Sequence, residues 1–225
     1  MKGRDTIFAN IKKSLGVEHD DHVRRETVSA RIEKHPRNVI PARGQKPAPD
    51  RTALFLQMAE NAKASVVMLD SKDDVPAAVA DYLRSKNLPQ SIRRGDDERL
   101  SLIPWATQRA LEVTTGASDG AQLASVSYSF GAVAESGTLV MLSGRDNPTT
   151  LNFLPDHHVV VVDERDIAGD YETVWDKIRE RFGENKMPRV VNWISGPSRS
   201  GDIEQTHLLG AQGPRSLHVL VVRSS

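Results

Sequence analysis

The chain has 225 residues, with 30 Lys and Arg against 30 Asp and Glu, 38% apolar residues and no cysteine. The missing thiols exclude a disulfide framework, a Cys-ligated zinc, a thiol nucleophile and a thiolate-held iron–sulfur cluster within this chain. A formal charge of zero argues against a whole-protein electrostatic claim on nucleic acid or membrane.

The first predicted element spans 5–15, where Ile7, Phe8, Ile11 and Leu15 fall at helical spacing and Gly16 supplies a stop. From Val17 to Asp50 the pattern gives way to charge, histidine and Pro36, Pro41, Pro47 and Pro49, which reads as an extended arm. Residues 1–50 carry 11 Lys and Arg against 7 Asp and Glu, so the arm is basic and the remainder acidic. An isolated helix of about eleven residues is marginal in water, so its stripe calls for docking on the rest of the chain, a second copy or a partner. The expected organisation is an arm over 1–50 and one domain over 51–225.

Helix and strand alternate after the arm. Helices are predicted over 53–63, 75–86 and 171–182, with Pro76 tolerated in a first turn. Strands are predicted over 65–69, 111–114, 121–128, 138–142, 158–162, 190–194 and 217–222. The unbroken apolar runs at 158–162 and 217–222 match strands covered on both faces. Together these point to an α/β domain with a largely parallel sheet. No stretch approaches the ~20 apolar residues of a membrane helix, and Lys12 and Lys13 interrupt any apolar leader. A cytoplasmic protein with no membrane span and no nucleic-acid partner is expected.

Three glycine-punctuated loops stand where α/β sheets place ligands. In the first, Gly131 to Thr138, Glu135 sits among small residues between two strands. That setting suits a nucleophile or a general base, or else a glycine-bent connection whose carboxylate points to solvent. In the second, Ser195 to Glu204, backbone N–H groups and Arg199 could receive a phosphate or carboxylate. No Gly-Lys-Ser/Thr follows, so it is neither a Walker loop nor a dinucleotide fingerprint. The third, Gly210 to Arg215, reads as turn chemistry leading into the last strand. His157 and His158 are adjacent and face opposite ways on a strand, and no other histidine spacing suggests a metal site.

Taken in order, these loops resemble a known family. The segments Ala134-Glu135-Ser136-Gly137-Thr138-Leu139-Val140, Leu154-Pro155-Asp156-His157-His158, Gly196-Pro197-Ser198-Arg199-Ser200-Gly201-Asp202-Ile203-Glu204 and Gly213-Pro214-Arg215-Ser216-Leu217 are similar to the lactate utilization protein C family of LUD domain proteins. The resemblance covers roughly 51–222. It implies a fold similar to CoA transferases and sugar-phosphate isomerases. It also implies an accessory role beside iron–sulfur subunits in oxidising L-lactate to pyruvate, with every cluster on those partners and no cofactor in this chain. Glu135 lies in a stretch like the Ser-Glu-Asn-Gly element of CoA transferases, although Ala134 and Ser136 depart from it. By the same resemblance, Gly137, Thr138, Gly196, Ser198, Arg199 and Asp202 become candidate contacts to a small carboxylate or phosphate. Two readings of another class stay open: a stand-alone enzyme using Glu135, and a metabolite-binding module. A homo-oligomer is compatible with all three.

Overall fold

The computed structural model describes residues 3–17, 21–183, 186–200 and 208–223, with backbone alone at 208 and 209. The chain forms two compact units, 1–39 and 40–225. The first holds two helices. Helix α1 (Gly3–Ser14) carries the expected stripe at Ile7, Phe8 and Ile11. Helix α2 (His22–Lys34) corrects the sequence reading, which placed an extended arm there. The prolines that suggested an arm all lie beyond His35, and Asp21 caps α2 by accepting a hydrogen bond from the Arg24 backbone N–H at 3.0 Å. Averaging 17–50 as one segment hid a charged helix followed by a proline-rich turn.

The break between units falls between Val39 and Ile40, ahead of the boundary expected at Asp50. Residues 40–50 join the second unit for physical reasons. The Gly44 backbone lies against Gly169 so closely that neither position has room for a Cβ. Gln45 Nε2 donates to Asp170 Oδ2 at 2.8 Å. Helix α3 (Ala48–Asn61) starts with Pro49 in its first turn, where the missing N–H has no helical partner to lose. Arg51 Nε then donates to the Ile167 carbonyl at 2.8 Å.

The elements of the second unit then follow in order. They are β1 (Ser65–Leu69), α4 (Val75–Ser85), β2 (Ser91–Arg94), α5 (Glu98–Ser101), β3 (Glu112–Thr115), β4 (Ala124–Tyr128), β5 (Gly131–Val133), β6 (Thr138–Leu142), α6 (Thr149–Phe153) and β7 (His157–Asp163). After these come β8 (Ile167–Ala168), α7 (Tyr171–Phe182), β9 (Val191–Ile194), β10 (Arg199–Ser200), β11 (Leu208–Leu209) and β12 (Ser216–Val222). Six strands form an all-parallel sheet in the order β1-β12-β7-β4-β2-β3. A second sheet, β8-β5-β6-β9, is antiparallel across β5, β6 and β9. The α/β class with a largely parallel sheet is therefore the architecture observed. Short β2 and β5 escaped the sequence reading because one has a single buried apolar residue, Ile92, and the other is built of Gly, Ala and Val.

The valine runs explain the layering. On one face of the large sheet Val159, Val161, Leu220 and Val222 pack with Val79 and Leu83 of α4. On the other, Val160, Val162, Val219 and Val221 pack with Phe55 of α3 and Leu139 and Met141 of β6. Helix α7 closes the far side of the small sheet through Val174 and Ile178 against Val133 and Val140. Each fully buried side chain of this size contributes about 1.5–3 kcal/mol relative to exposure. The sheet pair is thus the stable centre that carries the loops.

The buried members of all three apolar clusters begin at Phe55 or later. Deleting residues 1–39 is accordingly expected to leave a folded unit with a cooperative thermal transition. Deleting 1–50 also removes Gln45 and the first turn of α3, and the hydrogen bond lost there is worth about 1 kcal/mol. Scanning calorimetry should show a lower Tm for the longer deletion. Equal Tm values would place 40–50 outside the folded unit.

Candidate functional site

The loop after β5 turns within four residues, 134–137, before β6 pairs back antiparallel with Thr138 opposite Val133. Gly137 makes this possible: its φ is +65° and a Cβ there would strike the backbone of Met58 and Ala59 in α3. The turn brings hydroxyls together. Thr138 Oγ1 lies 2.8 Å from Ser136 Oγ, 2.9 Å from Tyr171 Oη and 2.6 Å from Ser195 Oγ, and Ser136 Oγ lies 2.8 Å from Tyr171 Oη. Thr138 is fully buried at the hub. Through Ser195 this network reaches the second glycine loop, which leaves β9.

That second loop is held at both ends. Gly196, at φ +74°, packs onto the Ala62 carbonyl just past α3. Ser198 N–H donates to the Pro214 carbonyl at 2.8 Å, and Gly210 N–H donates to the Ser198 carbonyl at 3.0 Å. Arg199 and Ser200 pair antiparallel with Leu209 and Leu208. The second and third sequence-predicted loops are therefore laced into one structure.

Beneath them lies a cavity of about 260 Å³, lined by Asn152, His158, Gly196, Ser198, Arg199 and Pro214 among others. Its floor is polar. His158, on β7, is fully buried and shares a 3.0 Å hydrogen bond between Nε2 and Ser127 Oγ. Its Nδ1 has no partner among the described residues. Burial pushes its pKa down to about 3, so the ring is neutral at ordinary pH. Asn152 of α6 is 1% exposed, and neither its Oδ1 nor its Nδ2 has a partner among the described residues. Helix α6 is fixed in place by Ser125 Oγ, which donates to the Leu151 carbonyl at 2.7 Å. Native proteins pair nearly all buried polar atoms, so the three that lack a partner among the described residues are an exception, carried by two residues of the cavity lining.

Of the residues singled out by sequence, Gly196, Ser198 and Arg199 line this cavity. Gly137 and Thr138 support it from behind through Ser195, and Asp202 lies outside the described residues. Glu135 is not among the lining residues. Its carboxylate is 3% exposed and meets Arg43, with Arg43 Nε 3.8 Å from Oε2. Asn152 and the inward role of His158 escaped sequence reading. The available signal was an amide inside the otherwise apolar run Leu151 to Pro155, just before the strand. Outside the cavity, His157 points to the opposite face, where its Nδ1 lies 2.9 Å from Tyr82 Oη. No group of three or more potential metal ligands occurs among the described residues.

Two substitutions test this geometry. Thr138→Val strips the hub from three hydroxyls and should destabilise the protein by about 1–3 kcal/mol in urea titration. A loss under about 0.5 kcal/mol would mean that water replaces the hub. Glu135 supplies a pH test. Burial raises its carboxyl above the ordinary 4.5, Arg43 draws it back down, and Asp170 pushes it up again. The folded state therefore holds this proton more tightly than the unfolded state. The contribution is complete below pH 4.5 and is lost as pH rises through the folded value. Glu135→Gln should then be more stable than the parent at about pH 7, with the difference vanishing near pH 4. A variant less stable than the parent at neutral pH would show that the Arg43 contact outweighs burial.

Comparison with known proteins follows the same segments. Residues 52–222 match the LUD domain family. Proteins named lactate utilization protein C are similar in part. The one from Shouchella clausii is 31% identical over 104 residues, covering 45% of each chain. The one from Anoxybacillus flavithermus is 36% identical over 90 residues, covering 40% of this chain and 39% of the relative. The one from Bacillus subtilis is 32% identical over 105 residues, covering 45% and 44%. The matches thus span somewhat under half the length of these relatives. A crystal structure of a DUF162 family protein from Deinococcus radiodurans shares the fold, with TM-score 0.57 and 22% identity over 79% of this chain and 99% of that one. With four sequence motifs and the matched span all falling in the second unit, this chain belongs to the LUD domain family.

Proposed function

We propose that this chain serves in lactate utilization as the cluster-free component of a system that oxidises L-lactate to pyruvate, working beside iron–sulfur subunits. The observation that carries the reading is the cavity at the Gly196–Arg199 loop, a small pocket whose lining includes His158, Arg199 and Pro214 from three of the sequence motifs. Such a pocket suits binding of a small anionic metabolite, with Arg199 as the cation at its mouth. The names of the similar proteins support the pathway. The composition supports the division of labour: without a cysteine, this chain has no thiolate to hold a cluster, so electrons from substrate oxidation pass to clusters on another chain. A separate enzyme built on Glu135 has less support, because that carboxylate lies against Arg43 and outside the cavity lining.

The test is genetic and biochemical together. A deletion strain should lose growth on L-lactate while keeping growth on pyruvate. The wild-type gene should restore it, and an Arg199→Ala gene should restore it poorly. A tagged copy from lactate-grown cells should bring down cysteine-rich iron–sulfur proteins. Undiminished growth of the deletion on L-lactate would overturn the proposal.

A further inference from the structure

A second cavity, of about 440 Å³, shares no lining residue with the one at the Gly196–Arg199 loop. It lies among the turn ahead of α3, the β7–β8 turn and the first turns of α7. Arg165 stands two residues past the end of β7, so this cavity adjoins the carboxyl edge of the parallel sheet, where open α/β sheets commonly hold ligands. Its lining carries Lys46, Arg51, Arg165 and Lys177 against one carboxylate, Asp170. That is a concentration of cations in a chain whose formal charge is zero. Asp170 is already engaged in capping α7: it accepts from the Thr173 N–H at 2.8 Å, from the Thr173 hydroxyl at 3.0 Å and from Gln45 Nε2 at 2.8 Å.

The cations differ in what holds them. Arg51 is oriented by backbone: its Nε donates to the Ile167 carbonyl at 2.8 Å and its Nη1 to the Lys46 carbonyl at 3.5 Å, contacts that neutralise no charge. Lys46 and Arg51 form no ion pair among the described residues. Arg165 Nη2 lies 3.7 Å from Asp163, whose carboxylate Lys72 also meets at 3.4 Å. Lys177 acts on Asp166, whose carboxyl burial raises above its ordinary value and Lys177 draws back down. The neighbouring acids thus take up part of the charge of Arg165 and Lys177 and leave that of Lys46 and Arg51. A monocarboxylate offers such a set one negative charge. Two linked phosphoryl groups offer more, with oxygens for the planar guanidinium and for the point charges of the lysines. The volume falls within the usual range for small-molecule sites, roughly 300–1,000 Å³. We propose that this cavity is a second ligand site that takes a diphosphate group, with Lys46 and Arg51 as its main cations and Arg165 and Lys177 completing the charge balance. The proposal is independent of the lactate reading, which concerns the other cavity.

Isothermal titration of the full chain with pyrophosphate, ADP, inorganic phosphate and acetate tests it, at low salt, where exposed charges are least screened. Pyrophosphate should bind about tenfold or more tightly than phosphate, and acetate should give no measurable heat. ADP distinguishes the source of the group. Affinity at or above that of pyrophosphate assigns an organic diphosphate, weaker affinity assigns the free ion, and both results keep the proposal. Lys46→Ala at an exposed position and Lys177→Ala at a half-buried one should each weaken pyrophosphate about tenfold. Arg199→Ala, in the other cavity, should leave pyrophosphate binding unchanged. Failure of pyrophosphate to bind, equal affinity for pyrophosphate and acetate, parental affinity in either lysine variant, or loss of binding in Arg199→Ala would each overturn the proposal. The unmodified protein decides the first two outcomes even if a variant fails to fold.

Discussion

The structure depends on burial of β7 and β12 from both faces. Each strand has parallel neighbours on either side, α4 against one face, and α3 with the small sheet against the other. Apolar residues at successive positions can be hidden only by such double cover. Here α3 and the small sheet share one face, and the short β5–β6 turn lies against α3. Gly137 is the result, since a side chain there would collide with the α3 backbone.

The candidate site lies where that cover ends. His158 and Leu217 are the second residues of β7 and β12, so the cavity sits at the starting edge of the parallel sheet rather than at the carboxyl edge, where open α/β sheets commonly bind ligands. The lining joins the end of β9 and the Gly196–Arg199 loop to residues of the large sheet, His158 and Leu217, and of α6, Asn152 and Phe153. Arg199 follows a strand end, as sequence reasoning expected. The other lining residues come from the starts of β7 and β12 and from α6.

Hydroxyls, rather than charges, join the two motif loops. Ser136, Thr138, Tyr171 and Ser195 share one cluster at distances of 2.6–2.9 Å. A neutral network can be satisfied without the desolvation penalty that a buried ion pair carries. It also explains why Glu135, next in sequence to the cluster, stands apart from it. The Glu135 backbone follows β5 along Gly169, and its carboxylate turns toward Arg43. Residues adjacent in sequence thereby serve different surroundings.

By itself the sequence determined the α/β class, the major helices, the doubly covered strands, the absence of any thiolate and the family motifs. All of these are properties of local periodicity, composition or short contiguous pattern. The helix over 22–34 and the start of the second unit at Ile40 were hidden, because averaging across 17–50 mixed a capped, charged helix with proline-rich turns. The cavity floor was also hidden. Asn152 and His158 read as an amide in an apolar stretch and a histidine on a strand, and only the folded chain brings both into one lining with Arg199. Tertiary structure decided the site because hydrogen-bond satisfaction is a property of neighbours in space, and here those neighbours come from distant parts of the chain.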